Sequence, residues 1–251
     1  MTAELGNNNI QSQNLTIDGK LPNDRPNDRP FRVYVALTNH CNRACPWCST
    51  YSSPAGSTFI TLQQYKKSFP KGIQFEVQLE GGEPTIHPEF MEIMKYTNNM
   101  NQCTKIVIVT NGTVIPRGKK KLRKWLSSLG NKTTIKLSIN HYLLTYDNKL
   151  FDLACDIKEM YLRGEIEGFV INVRLRKEED EENEEIISEI KKRNLNDITN
   201  TFWLQKYGYG SSQENWEEPF IVSDQFSLIN PDGSTSGINL IRRSNVMRDL
   251  P

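Results

Sequence analysis

Cys41-Asn42-Arg43-Ala44-Cys45-Pro46-Trp47-Cys48 is the stretch of sequence that decides the fold. It holds three of the five cysteines of the chain in the spacing C-x3-C-x2-C, while Cys103 and Cys155 lie far away along the sequence. This grouping is a poor disulfide framework and a good ligand cluster. Three thiolates on a tight loop can hold three irons of a cubane cluster and leave the fourth iron open for chemistry. A zinc site is the alternative, but it needs four closed ligands, and His40 is awkwardly placed to be the fourth.

The sequence around this loop alternates between short β-branched segments and helical segments. Strands are predicted at 31–38, 74–79, 105–109, 133–139, 169–175 and 202–205. Helices are predicted at 62–69, 88–99, 117–129 and 149–163, and after the acidic stretch 178–185 as far as about 193. This order predicts repeated βα units around a parallel sheet, an α/β fold in the form of an open or partial barrel of six units. In such folds the chemistry gathers in the loops that follow the strands.

Two polar motifs follow predicted strands at the expected places. Gly81-Gly82-Glu83-Pro84 comes after the second strand: its glycines permit a close backbone approach, Pro84 fixes the turn, and Glu83 offers an acceptor for an ammonium group. Thr110-Asn111-Gly112-Thr113 comes after the third strand, where a capped turn into the next helix is an equally good interpretation. Both motifs are therefore candidates for one site at the strand ends.

Together the cysteine spacing, the Trp47-Cys48 pair and the Gly-Gly-Glu-Pro turn resemble the radical S-adenosylmethionine (radical SAM) superfamily, over about residues 31–206. The resemblance implies a partial (β/α)6 barrel with one [4Fe–4S] cluster on Cys41, Cys45 and Cys48. It also implies that S-adenosyl-L-methionine (SAM) chelates the open iron. One electron, from an external flavodoxin- or ferredoxin-type donor, then cleaves SAM to methionine and a 5′-deoxyadenosyl radical. That radical abstracts a hydrogen atom from the substrate.

The resemblance, together with position on the predicted strands and at the barrel mouth, assigns residues to two parts of the site. Those expected to bind the cofactor are Trp47, Gly81, Gly82, Glu83, Pro84, Thr110, Asn111, Ser138, Asn140, Asn172, Arg174 and Gln205. Ser138 could instead be satisfied by the backbone, and Arg174 could be a buried ion-pair partner instead of a clamp for a carboxylate. Those expected to hold the substrate offer rigid contact at the barrel mouth and are His141, Tyr142, Tyr207, Tyr209 and Trp216.

The two ends of the chain have a different character from the barrel. Residues 1–30 are polar and are expected to form a tail without a core, followed by the barrel at 31–206 and a C-terminal extension at 207–251 that covers its mouth. A further strand is possible at 220–228. The turn Pro231-Asp232-Gly233 resembles the segment that leads to auxiliary-cluster cysteines in SPASM or twitch peptide maturases. Because no cysteine follows Cys155, a relative of that group without auxiliary clusters is expected.

Composition narrows the function classes. With 31 Lys+Arg against 30 Asp+Glu, the net charge of +1 gives no drive toward nucleic acid or an anionic membrane. No apolar run reaches the roughly 18–20 residues of a membrane span, and no signal pattern opens the sequence, so a cytoplasmic protein is expected. The leading hypothesis is a maturase of ribosomally made peptides, served by a separate peptide-recognition protein. The alternatives are a small-molecule radical SAM enzyme (deazaguanine-synthase-like, or a glycyl-radical activase) and a non-catalytic zinc or iron–sulfur module.

Overall fold

The computed structural model describes residues 30–176, 180–214, 216, 218–219 and 225–251. The predicted tail therefore lies outside the described residues, apart from Pro30. The strands are β1 (Arg32–Thr38), β2 (Phe75–Gly81), β3 (Cys103–Thr110), β4 (Thr133–Ile139), β5 (Gly168–Leu175), β6 (Thr199–Trp203), β7 (Phe226–Ile229) and β8 (Thr235–Gly237). The α-helices are α1 (Leu62–Lys67), α2 (Phe90–Asn98), α3 (Lys119–Ser128), α4 (His141–Tyr146), α5 (Leu150–Leu162), α6 (Glu181–Lys192) and α7 (Leu240–Asp249).

The strands form one open sheet in the order β6-β5-β4-β3-β2-β1-β7-β8. The first six strands are parallel neighbours in chain order, because each return passes through a helical connection on the same side of the sheet. The predicted α/β fold, a partial barrel of six βα units, is confirmed. β7 pairs with β1 in parallel, and only β8 runs antiparallel to its neighbour.

The inner strands have two different faces. On β1, Val33, Val35 and Leu37 are fully buried in the same core cluster as the apolar faces of the helices, whereas Tyr34 points to the opposite face. This follows from the alternation of side chains along a strand. The helices contribute residues such as Ile93 on α2 to the same core cluster. One face of the sheet is thus an apolar core, and the other is free to carry polar side chains.

Two differences from the sequence-based prediction concern the second half of the barrel. α4 is not predicted, because six residues are too few to show a helical period; it is capped by Asn140, whose Oδ1 accepts from the N–H of Leu143 at 2.9 Å. β6 begins at Thr199, three residues earlier than predicted, because Thr199-Asn200-Thr201 are polar but pair in register with β5. Both differences involve polar residues: Asn140 follows the end of β4, and Thr199-Asn200-Thr201 begin β6.

The C-terminal part also joins the sheet. The first part of the strand proposed at 220–228 lies outside the described residues, and 226–229 forms β7. α7, which the sequence analysis does not predict, begins after Asn239, whose side chain accepts from the N–H of Arg242 at 2.8 Å. Among the described residues, no helix is long and apolar enough to cross a membrane.

Candidate active site

A cavity of about 380 Å³ lies at the carboxyl ends of the barrel strands. All three grouped cysteines line it, together with Trp47 and Tyr207. The other predicted site residues that line it are Gly81, Gly82, Thr110, Asn111, Ser138, Asn140, Arg174 and Gln205. The structure therefore brings the cysteine loop and the ends of β2 to β6 to one space, as a βα architecture requires.

The cysteine loop, residues 39–61 between β1 and α1, is fixed by backbone hydrogen bonds. The N–H of Cys41 donates to the carbonyl of Ser53 at 3.0 Å, and the N–H of Cys48 donates to the carbonyl of Cys45 at 3.0 Å. At the start of the loop, Thr38 Oγ1 donates to the carbonyl of Thr58 at 2.7 Å. These bonds position the three thiols before any ligand binds.

Two of the thiols are strongly affected by burial. Desolvation raises the pKa of Cys41 to about 12, and the Glu83 carboxylate adds to the rise. Desolvation also raises the pKa of Cys45 to about 12, with Cys48 the next contribution. Such thiols are protonated at neutral pH, so binding of cationic iron must displace their protons.

The donor set fits an iron–sulfur cluster. Within the described part of the chain, no three His, Cys, Asp or Glu side chains converge on a position for a single ion. In a cubane each thiolate binds a different iron, so the sulfurs of a cluster site stand apart. Polar groups lie at two of the sulfurs: Asn111 Nδ2 donates toward Cys41 Sγ at 3.8 Å, and Thr50 Oγ1 is 3.4 Å from Cys48 Sγ. Hydrogen bonds to the sulfurs tune the ligands of a cluster.

Close packing against the backbone of residues 38–40 explains the glycine pair at the end of β2. A Cβ at Gly82 would lie 1.9 Å from the carbonyl oxygen of His40, and one at Gly81, where φ is +120°, would lie 2.4 Å from that of Thr38. The backbone N–H of Gly82 donates to Thr38 at 2.6 Å, and that of Glu83 donates to His40 at 3.0 Å. The turn therefore packs directly on the backbone that leads into the cysteine loop, while both glycines still line the cavity.

Glu83 and Pro84, expected to contact the cofactor, do not line the cavity. The Glu83 side chain is buried, and its carboxylate accepts from Thr110 Oγ1 at 2.8 Å, from the N–H of Asn111 at 2.7 Å, and from both the N–H and the hydroxyl of Thr85. Burial raises the pKa of this carboxyl, and the hydrogen bonds oppose that rise. Pro84 opens a short 3-10 turn. Glu83 thus ties the turn after β2 to the end of β3, and its acceptors are already in use.

The ends of β4 and β5 carry a row of polar residues. Ser138 lies in register with Asn172, which in turn lies in register with Asn200 of β6. Ser138 lines the cavity and Asn172 does not, although Oδ1 of Asn172 is buried without a hydrogen-bond partner among the described residues. Arg174 lines the cavity and stacks on Phe202, with 4.6 Å between the guanidinium carbon and the ring centroid.

Four of the five residues expected to hold the substrate lie outside this cavity, and only Tyr207 lines it. The His141 ring packs against Trp47 at 4.5 Å and contacts Arg176; burial, aided by Arg176, lowers the pKa of this imidazole. The Tyr142 ring also packs against Trp47, with 5.9 Å between the ring centroids, and lies 5.0 Å from the Tyr146 ring. The two remaining residues lie after β6: Tyr209 packs on Tyr51 and is 47% exposed, and Trp216 packs against Gly210.

Sequence reasoning missed a group of cavity residues that α7 supplies. Arg243 of α7 forms an ion pair with Glu80, the last charged residue of β2, and both line the cavity. Next to it, Ser244 Oγ donates to the carbonyl of Ser49 at 2.8 Å, directly after Cys48. Glu80 could have been noticed as a charge inside a buried strand, but no local pattern marks Arg243, because its partner lies 163 residues away.

A comparison with known families agrees with this geometry. The family model described as the radical SAM superfamily matches residues 35–206. The chain therefore belongs to the radical SAM superfamily, whose members use a [4Fe–4S] cluster and SAM, and it is an enzyme of that class.

Individual relatives are similar over part of their length. The antilisterial bacteriocin subtilosin biosynthesis protein AlbA of Bacillus subtilis is 30% identical over 125 residues, which cover 48% of this chain and 26% of AlbA. A GTP 3′,8-cyclase of Aeromonas hydrophila is 25% identical over 152 residues, covering 54% of this chain and 43% of the cyclase. Among solved structures, anSMEcpe with bound AdoMet has a TM-score of 0.51 at 17% identity, covering 70% of this chain and 52% of the other. The match to anSMEcpe supports the fold. The chain matches less than half the length of these two curated relatives.

Proposed function

We propose that this enzyme holds its cluster on Cys41, Cys45 and Cys48, binds SAM against the neighbouring strand ends, and takes a hydrogen atom from a peptide. The observation that carries the cofactor part is that the three cysteines line the same cavity as the polar groups after β2, β3 and β4. No other part of the described chain groups three thiols.

Each part of the cavity has a task in this proposal. The three thiolates hold the cluster and leave one iron open, and Asn111 donates toward Cys41, with the Thr50 hydroxyl within hydrogen-bond distance of Cys48. When bound, the cluster and SAM together supply a radical that abstracts hydrogen. The backbone at Gly81 and Gly82 offers carbonyls to the amino group of SAM, and Ser138 offers a hydroxyl to its ribose or carboxylate. Glu83 acts indirectly, because it fixes the N–H of Asn111 and the hydroxyl of Thr110.

The peptide substrate is supported by the similarity to AlbA, which is named for the biosynthesis of a bacteriocin. The similarity to GTP 3′,8-cyclases favours a second candidate, a small-molecule substrate. In both cases an external flavodoxin- or ferredoxin-type protein would supply the electron. For a peptide, a separate recognition protein would deliver the substrate.

The test begins with anaerobic reconstitution and counts of iron and sulfide. Reductant-dependent formation of 5′-deoxyadenosine from SAM is expected for the wild-type protein. Transfer of deuterium into 5′-deoxyadenosine from a labelled short peptide encoded beside the gene would support the peptide, and transfer from labelled GTP would support the small molecule. A reconstituted protein that carries about one zinc and no iron would contradict the proposed function.

A further inference from the structure

One carboxylate in the cavity, that of Glu80, is paired with a buried guanidinium group. Arg243 forms an ion pair with Glu80, and the side chain of Arg243 is 4% exposed. Arg174 has no hydrogen bond or ion pair in the described part of the chain and stacks on Phe202.

The guanidinium of Arg243 has further donors beyond the one that pairs with Glu80. Its Nε and Nη2 atoms are buried and lack a hydrogen-bond partner among the described residues. A buried donor without a partner is unfavourable, and more so when the group is charged. The cost is avoided when an acceptor arrives, so the unused side of this guanidinium indicates a missing partner.

The charges that line the cavity leave a positive excess. Arg43, Arg174 and Arg243 are the lining cations, and Glu80 is the lining carboxylate. Arg43 is engaged elsewhere, since it donates to the carbonyl of Asn42 and lies over the Tyr146 ring. The apolar residues Phe226, Leu228 and Leu240 also line the cavity. Low polarity strengthens the attraction of an anion to a guanidinium group.

We propose that Arg243 binds a carboxylate group of the substrate beside Glu80. This inference rests on the proposed function, in which the cavity also holds the substrate. A planar carboxylate matches the fork of a guanidinium and can accept two parallel hydrogen bonds. The carboxylate is assigned to the substrate and not to SAM, because Arg243 stands on α7. The groups expected to hold SAM come from the turns after β2, β3 and β4 and from the ends of β5 and β6.

Acetate and the neutral isostere acetamide probe the site directly. Binding to the reconstituted enzyme is measured by saturation-transfer NMR at constant ionic strength, in the wild type and in three variants. Acetate is expected to bind the wild type and Arg242→Gln equally, because Arg242 is exposed on the same helix. Arg243→Gln should bind it at least tenfold more weakly, and Glu80→Gln should bind it more tightly, since the competing carboxylate is gone. Acetamide should bind none of them measurably.

Several outcomes would overturn the proposal. Equal acetate affinity in Arg243→Gln and the wild type would do so, as would weaker binding in Glu80→Gln. Loss of acetate binding when SAM is added would show that the site belongs to SAM's own carboxylate. If Arg243→Gln does not fold, the double variant Glu80→Gln/Arg243→Gln removes the pair without leaving an uncompensated charge and must also lose acetate binding.

The source of the carboxylate is tested with a matched pair of tripeptides. Acetyl-Gly-Asp-Gly-amide and acetyl-Gly-Asn-Gly-amide differ only by the carboxylate. Arg243-dependent binding of the Asp peptide assigns the carboxylate to a peptide side chain, and Arg243-dependent binding of acetate alone assigns it to a small acid; both support the subsite. Because none of these measurements needs SAM cleavage, a failure of the subsite is distinguishable from a failure of the proposed function.

Discussion

The carbonyl oxygen of His40 lies 1.9 Å from the position that a Cβ would occupy at Gly82. This contact joins the cysteine loop to the turn after β2, and backbone hydrogen bonds from Gly82 and Glu83 reinforce it. The glycine pair is therefore required first by packing between two loops. A ligand that binds at Gly81 and Gly82 therefore meets a turn whose shape is already fixed by its packing against the cysteine loop.

Gly82→Ala should therefore damage both the fold and the cluster site. The added methyl group must push the His40 backbone away, and overpacking of this kind costs about 1–3 kcal/mol. Denaturant unfolding measures the loss, and iron content after reconstitution should fall with it. Gly164→Ala is the control, because nothing lies within 4 Å of a Cβ there and only its φ of +72° is unfavourable. Equal effects of the two substitutions on iron content would contradict the packing argument.

Glu83→Ala should destabilise the protein as well as weaken SAM binding. It removes the acceptor from Thr110, Thr85 and the N–H of Asn111, and each buried donor left without a partner costs about 1–3 kcal/mol. Unfolding in urea and SAM calorimetry on the reconstituted protein give the two quantities, with exposed Glu92→Ala as the control. A variant as stable as the wild type that still fails to bind SAM would mean that Glu83 contacts SAM directly.

His87 should make the fold sensitive to acid. Its Nδ1 accepts from the N–H of Glu89 at 3.0 Å, so Nε2 carries the proton and donates to the carbonyl of Ile60 at 2.9 Å. Burial lowers the pKa of this imidazole below 6.5, and the unfolded chain therefore takes up the proton first. Stability should fall as pH drops from about 6.5 through the lower folded pKa. His87→Gln should show a smaller loss between pH 7 and 5 in urea unfolding. An unchanged pH profile would exclude His87 as the cause.

Cysteine substitutions should distinguish the cluster ligands from cysteines that only pack in the core. Changing Cys41, Cys45 or Cys48 to Ala should abolish SAM cleavage and lower iron below about four per chain, because each thiolate holds one iron. Cys103→Ala should retain iron and cleavage, since this buried thiol belongs to the apolar core cluster. Iron and sulfide analysis with a 5′-deoxyadenosine assay checks both. A count near eight irons in the wild type would reveal a second cluster and contradict the single-cluster prediction.

The sequence predicts those parts of the structure that have a local cause. The buried strands, the cysteine loop and the turn after β2 follow from apolar runs, from ligand spacing and from glycine, each within about ten residues. The role of Glu83 could not be predicted, because its donors Thr110 and Asn111 lie 27 and 28 residues away. The role of Arg243 is even harder to predict from the sequence, because its neighbours in α7 are largely polar and only the folded sheet brings it to Glu80.

The C-terminal segment provides the last prediction. A deletion of 208–251 would remove β7, which pairs in parallel with β1, the strand that leads into the cysteine loop. This deletion should unfold the barrel. A deletion of 240–251 keeps β7 and β8 but removes the cavity residues Leu240, Arg243 and Ser244. It also removes the hydrogen bond from Ser244 to Ser49, so cluster content and SAM cleavage should decrease.

Hydrogen abstraction from substrate should then be lost altogether in the 240–251 deletion, because α7 provides the proposed carboxylate site. Ser244→Ala separates the two effects: it loses one neutral hydrogen bond, worth about 1 kcal/mol, and leaves Arg243 in place. This variant should cleave SAM slightly less and still modify substrate, measured as deuterium transfer per SAM cleaved. If the folded deletion variant keeps the wild-type ratio of deuterium transfer to SAM cleavage, α7 does not take part in substrate binding.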